Sequence, residues 1–314
     1  MTRRGWALFL AMGVIWGVPY AMIRIAVEDF DPIVVAFGRT FLGALILLPI
    51  ALYSKTLAPV FRRWRPLLLY TLIEITGPWF LIGYAETTLN SSTVGLLIAA
   101  VPLVGMLILS KPVQSLGAKL WPQHAFAHDR FDARRTIGLI IGFAGVATLV
   151  GFDIDLTQPA AIGAIGLTSI GYAIGPIIIN RALADLPPLG VVTGSLILAT
   201  VIYAPVAVSR RPAHFTADAS WAVLGLAVIC TVAAFLVFFA LIGEVGPARA
   251  TVITYINPAV AILLGVTLLN EPLTIGMGIG FPLVILGSIL GTAPARVAKE
   301  PAATPVTQSP VTRT

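Results

Sequence analysis

The chain has 314 residues and a net charge of +6; 58% of its residues are hydrophobic and only 11% are charged. Soluble domains hold roughly 45–50% apolar and about 25% charged residues, so one soluble core could not bury this much apolar surface. The composition excludes an ordinary soluble enzyme. It predicts an integral membrane protein, for which the lipid bilayer is the solvent.

Ten apolar stretches run along the chain, each close to the roughly 20 residues that a helix needs to cross a bilayer. They cover residues 5–23, 32–53, 66–85, 87–110, 136–152, 156–180, 186–209, 219–243, 250–270 and 272–295. Eight carry no charge, and the other two carry one each, Arg39 in the second and Glu74 in the third. We therefore predict an all-α membrane protein with ten transmembrane helices.

The basic residues are distributed as a membrane topology requires. When the ten stretches are threaded from a cytoplasmic N-terminus, fifteen Lys and Arg residues between Arg3 and Lys299 fall in cytoplasmic segments, and only Arg210 and Arg211 fall in outside connectors. This bias predicts that both termini are cytoplasmic. The positive net charge is thus a topology signal, and we expect no nucleic acid among the partners.

The sequence repeats itself. With an offset of 156 residues, Trp16 falls on Tyr172, Pro32 on Pro188, Pro49 on Pro205 and Pro102 on Pro258. Further along, the offset drops to 142, which indicates an insertion in the first copy. We predict two five-helix units, at 5–152 and 159–293. The first contains a cytoplasmic insertion at about 111–128, and a disordered cytoplasmic tail follows at 294–314. Because five is odd, the second unit is inverted in the membrane.

Both units resemble the EamA repeat of the drug/metabolite transporter superfamily. The residues that carry the resemblance are Trp16-Gly17, Asp31-Pro32, Arg39, Tyr84-Ala85, Pro102, Gly138 and Gly145 in the first unit, and Gly246-Pro247-Ala248-Arg249-Ala250, Tyr255, Pro258, Glu271, Gly280 and Gly287 in the second. The resemblance implies a ten-helix transporter of the bacterial inner membrane that moves small metabolites or drugs, often outward. Two positions depart from the family pattern: Asp129 stands where a Glu is usual, and Asn270 replaces a Gly.

Pro102 and Pro258 stand at matching positions in the fourth and ninth stretches. A proline inside a helix leaves the carbonyl four residues earlier without its helical partner. Matched interruptions in the two halves of a transporter point to the substrate site, although a plain kink is the alternative. Polar residues surround the second proline, Thr254, Tyr255 and Asn257, whereas the first has apolar neighbours.

Arg39 and Glu74 are charges inside apolar stretches, where a charge costs about 2.5–3.5 kcal/mol on insertion scales. Three interpretations compete. Arg39 binds an anionic group of the substrate, Glu74 carries a proton that drives transport, or the two form a structural pair. Arg24, near the end of the first stretch, is expected to extend toward the lipid headgroups. The counterpart of Arg39 in the second unit is Ser195.

Four aromatic residues lie inside the stretches rather than at their ends: Trp16, Tyr20, Tyr84 and Tyr172. They either line a cavity for an amphipathic substrate or pack in the core between helices. Together with Arg39, Glu74 and the two proline regions, they form the predicted transport pathway.

The predicted function is secondary-active transport of small metabolites or drugs by alternating access, with the lipid bilayer and a small-molecule substrate as partners. We expect efflux, with protons as the coupling ion. No Gly-rich loop followed by Lys-Ser/Thr is present to bind ATP, and Cys230 is the single cysteine, so neither cofactor nor metal is expected. An intramembrane enzyme would need converging catalytic groups, and Glu74 is the lone carboxylate within the stretches. A non-transporting sensor or scaffold stays open, as do the substrate and a monomer or homodimer.

Overall fold

The computed structural model describes residues 2–108, 133–153, 158–246 and 250–292. Within these ranges the secondary structure is helical and contains no strand. Eight helices are long and apolar enough to cross a membrane, and two further apolar helices are shorter. We number the ten α1 (Arg3–Asp29), α2 (Pro32–Tyr53), α3 (Trp64–Glu86), α4 (Ser91–Ile108), α5 (Ala133–Gly151), α6 (Pro159–Leu183), α7 (Pro188–Ser209), α8 (Ala217–Val245), α9 (Ile253–Leu268) and α10 (Ile275–Leu290).

The all-helical, multi-span architecture that the composition predicts is confirmed. Each of the ten apolar stretches overlaps one of the ten helices, and α2 begins and ends where the sequence predicts. The predicted insertion at 111–128, Asp129 and the tail at 294–314 lie outside the described residues. A short helix that the hydropathy pattern does not reveal, Leu57–Arg62, precedes α3.

Prolines and small polar residues set the helix starts. Pro32 opens α2, and the Asp31 side chain accepts a hydrogen bond from the backbone N–H of Ile33 at 3.0 Å. Proline is suited to the first helical turn because the N–H that it lacks would have no helical partner there. Pro188 opens α7 in the same way.

The helices α4 and α9 are interrupted just before their prolines. The α-helix of α4 stops at Ile98, turns through Ala99 and Ala100, and resumes at Val101, one residue before Pro102. The start of α9 is a 3₁₀ segment, Thr251–Tyr255, which begins two residues before the apolar helix and is followed by the α-helical part, Asn257–Leu268. The sequence prediction of two matched interruptions is therefore seen in the backbone.

Two further irregularities occur in α3 and α8, where one turn winds as a π-helix. These π-helical stretches are Thr71–Thr76 in α3 and Val228–Ala233 in α8. Another lies at the end of α6, Ile179–Leu183. Single π-turns within α-helices are uncommon and are often found at functional sites. The stretches in α3 and α8 occupy nearly equivalent positions under the 156-residue offset.

The helices pack in a defined set of pairs. The closest contacts join α5 with α10, α2 with α7, and α3 with α6; α1 packs against both α8 and α9, and α9 also packs against α4. Large apolar side chains cover the outer faces of the bundle, among them Ile140, Leu167, Val201 and Leu263. Such faces are stable against lipid tails and would be unstable in water.

Glycines allow α5 and α10 to touch through their backbones. Gly287 lies directly against the backbone of Gly138 and Gly142, and Gly145 lies against the carbonyl oxygen of Gly280. The two helices are antiparallel, since the earlier part of α5 meets the later part of α10. In lipid, where no hydrophobic drive brings helices together, this close approach supplies packing energy.

We expect Gly287→Ala to destabilise the protein, because a methyl group at this position would collide with the α5 backbone, which cannot move aside. Overpacking of this kind costs about 1–3 kcal/mol. The matched control is Gly278→Ala on the same helix, where nothing lies within 4 Å of the added methyl group. Thermal unfolding in detergent should show a lower midpoint for the first variant only; equal midpoints would contradict this account of the contact.

Candidate functional site

Arg39 lies in the middle of α2 and is buried, with 7% of its surface exposed. Its guanidinium reaches the π-helical stretch of α8, where Nε donates to the Thr231 hydroxyl at 2.9 Å and Nη2 donates to the Cys230 carbonyl at 3.2 Å. The Thr231 hydroxyl donates its own proton to the Leu226 carbonyl at 2.8 Å. The lone pairs of the Thr231 hydroxyl oxygen are therefore available to accept from Arg39.

The flat face of the same guanidinium lies on an aromatic ring. The Arg39 Cζ atom is 3.6 Å from the centre of the Trp79 ring, which α3 contributes. A cation–π contact of this kind is worth about 2 kcal/mol when water is excluded. Arg39 is thus held by α8 on one side and by α3 on the other.

Among the described residues, no carboxylate lies within 4.0 Å of Arg39, and its hydrogen bonds go to neutral groups. Glu74, the other charge inside a predicted span, does not pair with it. The Glu74 carboxylate instead packs against Gly175 of α6, and its Oε2 atom is buried without a hydrogen-bond partner. The interpretation of Arg39 and Glu74 as a structural ion pair therefore has no support in the geometry.

Tyrosines surround the space between these two charges. Tyr172 of α6 is close enough to interact electrostatically with both Arg39 and Glu74. Tyr203 of α7 donates its hydroxyl proton to the Thr76 carbonyl, at the end of the α3 π-helical stretch, at 2.6 Å. Neighbouring Tyr20 of α1 packs against α4 at Gly95. The result is a buried polar cluster, defined as Arg39, Glu74, Trp79, Tyr172 and Tyr203.

The predicted aromatic residues divide into two groups. Tyr172 belongs to the buried polar cluster, and Tyr20 lies beside it. Trp16 packs on the α8 aromatics, with its ring 4.7 Å from that of Phe238. Tyr84 is exposed over 41% of its surface and stacks on Phe80. The structure therefore brings Tyr172 and Tyr20 to Arg39 but gives Trp16 and Tyr84 other neighbours.

The polar residues around the α9 interruption connect α9 to α1. The Asn257 amide, with its nitrogen directed inward, donates to the carbonyl oxygens of Ile253 and Gly13, each at 3.0 Å. Pro258 is buried, and Thr254 and Tyr255 are half-buried in the 3₁₀ segment. Asn257 thus supplies a hydrogen bond to a backbone that the interruption leaves irregular.

Sequence reasoning missed several buried polar residues. Glu86, placed at the edge of a span, is completely buried at the end of α3, so Glu74 is not the only buried carboxylate. Arg24 does not reach for the headgroups; its Nη1 donates to the Glu86 backbone carbonyl at 2.5 Å. The Thr231 and Trp79 partners of Arg39 carry no local motif that could have identified them.

Two ion pairs lie in the segments that connect the long helices, at opposite ends of the bundle. At one end, Arg63 makes a bidentate pair with Asp185, with N–O distances of 2.6 and 2.7 Å. At the other end, Arg210 Nη1 lies 2.8 Å from Asp31 Oδ2. The Arg63 guanidinium also holds the pKa of the Asp185 carboxyl below its ordinary value, through hydrogen bonds first and charge second.

Since Asp185 has a lowered pKa in the folded protein, the pair stabilises the fold above the ordinary Asp pKa, and this contribution is lost as pH falls through the lowered value. We expect Asp185→Asn to lower the unfolding midpoint at neutral pH and to have no effect at acidic pH. Because the pair is exposed, high salt should reduce the difference. In an Arg63→Ala background, Asp185→Asn should no longer alter the dependence of the unfolding midpoint on pH. If it lowers the midpoint there as much as in the wild-type protein, the assignment is contradicted.

Long apolar helices around a buried polar cluster define a multi-pass membrane protein. The chain belongs to the EamA-like transporter family, which matches residues 3–111 and 160–292. The resemblance of its two repeats to that family is thereby confirmed.

Its relatives agree with this placement. The "Uncharacterized transporter YvbV" of Bacillus subtilis is 26% identical over 299 residues, or 93% of each chain. The "Uncharacterized inner membrane transporter YedA" of Escherichia coli K12 is 30% identical over 276 residues, 85% of this chain and 83% of that one. A solved crystal structure with 17% identity superposes with a TM-score of 0.64 over 92% of this chain and 96% of its own, so the fold is shared. The chain is a multi-pass transporter of the inner membrane.

Proposed function

We propose that this protein is a secondary-active transporter that moves small metabolites or drugs out of the cell by alternating access. One observation carries the proposal. The helices α4 and α9 are interrupted immediately before Pro102 and Pro258, and they pack against each other where Gly95 meets Ala261. In secondary transporters, discontinuous helices at corresponding places in the two halves surround the substrate site.

The helix pairs support an architecture of two inverted five-helix repeats. Exchanging α1–α5 with α6–α10 turns the contact of α1 with α8 into a contact of α6 with α3. It likewise turns the contact of α2 with α8 into a contact of α7 with α3. All four of these contacts occur. The pairs α2–α7, α4–α9 and α5–α10 map onto themselves. A twofold relation between the halves would produce these pairs, and with five helices in each half the proposed axis lies in the membrane plane.

The two ion pairs follow the same exchange. Arg63 lies between α2 and α3 and binds Asp185 between α6 and α7, while Arg210 lies between α7 and α8 and binds Asp31 between α1 and α2. In the proposed topology, with both termini cytoplasmic, the first pair faces the cytoplasm and the second faces outward. Rocking of the halves would open one pair at a time, as alternating access requires.

We place the substrate beside Arg39. A buried guanidinium has five N–H donors; Arg39 directs them to the Thr231 hydroxyl and the Cys230 carbonyl, and its flat face lies on Trp79. None of these partners neutralises its charge. The charge is most stable when an anion binds there, because a bidentate carboxylate or phosphate offers both counter-charge and hydrogen bonds. The proposed substrate therefore carries an anionic group, with Tyr172 and Tyr20 available for its less polar part.

The test is a metabolite-export and growth-tolerance screen of an overexpressing strain. We expect the wild-type protein to change the export of one or more small solutes with a carboxylate or phosphate group, and Arg39→Ala to abolish that change. The matched control is Ser195→Ala, at the equivalent position of α7, where the hydroxyl is buried without a partner. Export that persists in Arg39→Ala at normal expression would rule out this role for Arg39.

Protons are the proposed driving ion, and Glu74 is the proposed carrier within the bundle. Its buried Oε2 atom has no donor to stabilise a negative charge, so the ionised form is disfavoured here and the group is suited to taking up a proton. In proteoliposomes with a pH gradient, we expect Glu74→Gln to lose the proton dependence of transport. The control is Glu244→Gln, at the C-terminal end of α8, where the carboxylate accepts a hydrogen bond from Thr2; this variant should keep the proton dependence. Retained coupling in Glu74→Gln would remove Glu74 from the pathway.

An intramembrane enzyme and a non-transporting sensor are the alternative functions. Among the described residues, no three His, Cys, Asp or Glu side chains lie close enough together to hold a metal ion. A sensor is separated from a transporter by the same screen, because a sensor would bind a solute without changing its distribution across the membrane.

A further inference from the structure

Glu86 is the last residue of α3, and no part of its side chain or backbone is exposed. Both oxygen atoms of its carboxyl group are buried and lack a hydrogen-bond partner. Burying an ionised carboxylate in this state would cost far more than a hydrogen bond returns. The group must therefore hold a proton or a cation when the protein is in this conformation.

Among the residues that the structure describes, three charged or titratable side chains face Glu86. Arg24 and Tyr20 come from α1, and Glu271 comes from the connector between α9 and α10. The Arg24 guanidinium is bound to the Glu86 backbone carbonyl rather than to its carboxylate. Glu271 is also buried, with 8% of its surface exposed.

Glu271 differs from Glu86 in having donors for both of its oxygens. The backbone N–H of Ser91 donates to Oε1 at 2.7 Å, and the backbone N–H and hydroxyl of Ser92 donate to Oε2 at 3.0 and 2.5 Å. These N–H groups are the first of α4, where the helix dipole also favours a negative charge. The arrangement stabilises the ionised form of Glu271.

Two neighbouring carboxylates in a dry environment do not both ionise, because their repulsion is not screened. The negative charge belongs on Glu271, which has three donors, and the proton belongs on Glu86, which has none. A metal cation in place of the proton is disfavoured, since the Arg24 guanidinium at the Glu86 carbonyl would repel it.

We propose that Glu86 is a proton-binding site at the corner of α1, α3 and α4, and that it forms with Glu271 a carboxylate pair holding one proton. When Glu86 loses that proton, its charge attracts Arg24 away from the α3 backbone carbonyl, which loosens the end of α3 from α1. The role of the site in coupling rests on the proposed proton-driven transport, but the binding of a proton to Glu86 does not depend on that proposal. Glu86 lies twelve residues after Glu74, or about 18 Å along the helix, so the two are separate sites.

The site is tested by infrared spectroscopy of the purified full-length protein, titrated with pH in lipid vesicles. A protonated carboxyl group gives its own C=O band. We expect Glu86→Gln to remove one such band that persists in Glu74→Gln and in Glu28→Gln, a control for an exposed carboxylate at the end of α1. A spectrum in which Glu86→Gln removes no band would overturn the proposal.

Two variants test the pair without altering Glu86 itself. Glu271→Gln removes a neighbouring negative charge, so Glu86 should bind its proton about tenfold more weakly and its band should vanish about one pH unit lower. Arg24→Met removes a positive charge, so the band should persist to higher pH by a similar amount. Shifts in the opposite direction, or none in either variant, would contradict the carboxylate pair. These variants also decide the matter if Glu86→Gln fails to fold.

A transport measurement separates this site from the proposed function. In vesicles that show proton-driven transport, Glu86→Gln should abolish uphill movement while substrate exchange without a gradient continues. If uphill movement survives in Glu86→Gln, the coupling role is wrong. If the wild-type protein moves no solute yet the infrared band behaves as expected, the proposed transport fails and the proton site stands.

Discussion

The hydrocarbon core of a bilayer offers no water, so each polar group of this protein within it must find its partner inside the bundle. Arg39 meets this constraint with a hydroxyl, a carbonyl and the face of Trp79. Asn257 meets it at the interruption of α9 by bonding carbonyls of two helices. The same requirement gives significance to the Glu74 and Glu86 carboxylates, because burying an ionised carboxylate without a partner costs far more than burying a hydroxyl such as that of Ser195 without one.

The two halves of the chain share a backbone plan but differ in chemistry. Under the 156-residue offset, Arg39 corresponds to Ser195, Glu74 to Cys230 and Trp79 to Phe235. The first half thus supplies the charges and the second supplies neutral partners, as when Cys230 and Thr231 receive the Arg39 guanidinium. Such a division suits the proposed alternating access, in which two similar halves would move against each other while the substrate meets one set of binding groups.

Hydropathy and proline positions predicted the helices well, because the length of an apolar stretch and the missing N–H of proline act locally. The bounds of α2 and the interruptions before Pro102 and Pro258 follow from such local rules. The partners of Arg39 do not, since Thr231 lies 192 residues away and meets α2 only after the helices pack. Glu86 was missed because a glutamate followed by Thr87 and Thr88 has the composition of an exposed helix end, whereas its neighbours Arg24 and Glu271 are distant in sequence.

The matched π-helical stretches in α3 and α8 have a consequence for the history of the chain. Each stretch accommodates an extra residue in a helical turn, which weakens the regular hydrogen bonding and is seldom kept without a use. Two separate insertions at nearly equivalent places would be a coincidence. If the two proposed repeats arose by duplication of one five-helix unit, a single insertion in that unit accounts for both stretches. A present-day descendant of that unit with only five helices should carry the same extra residue in its third helix.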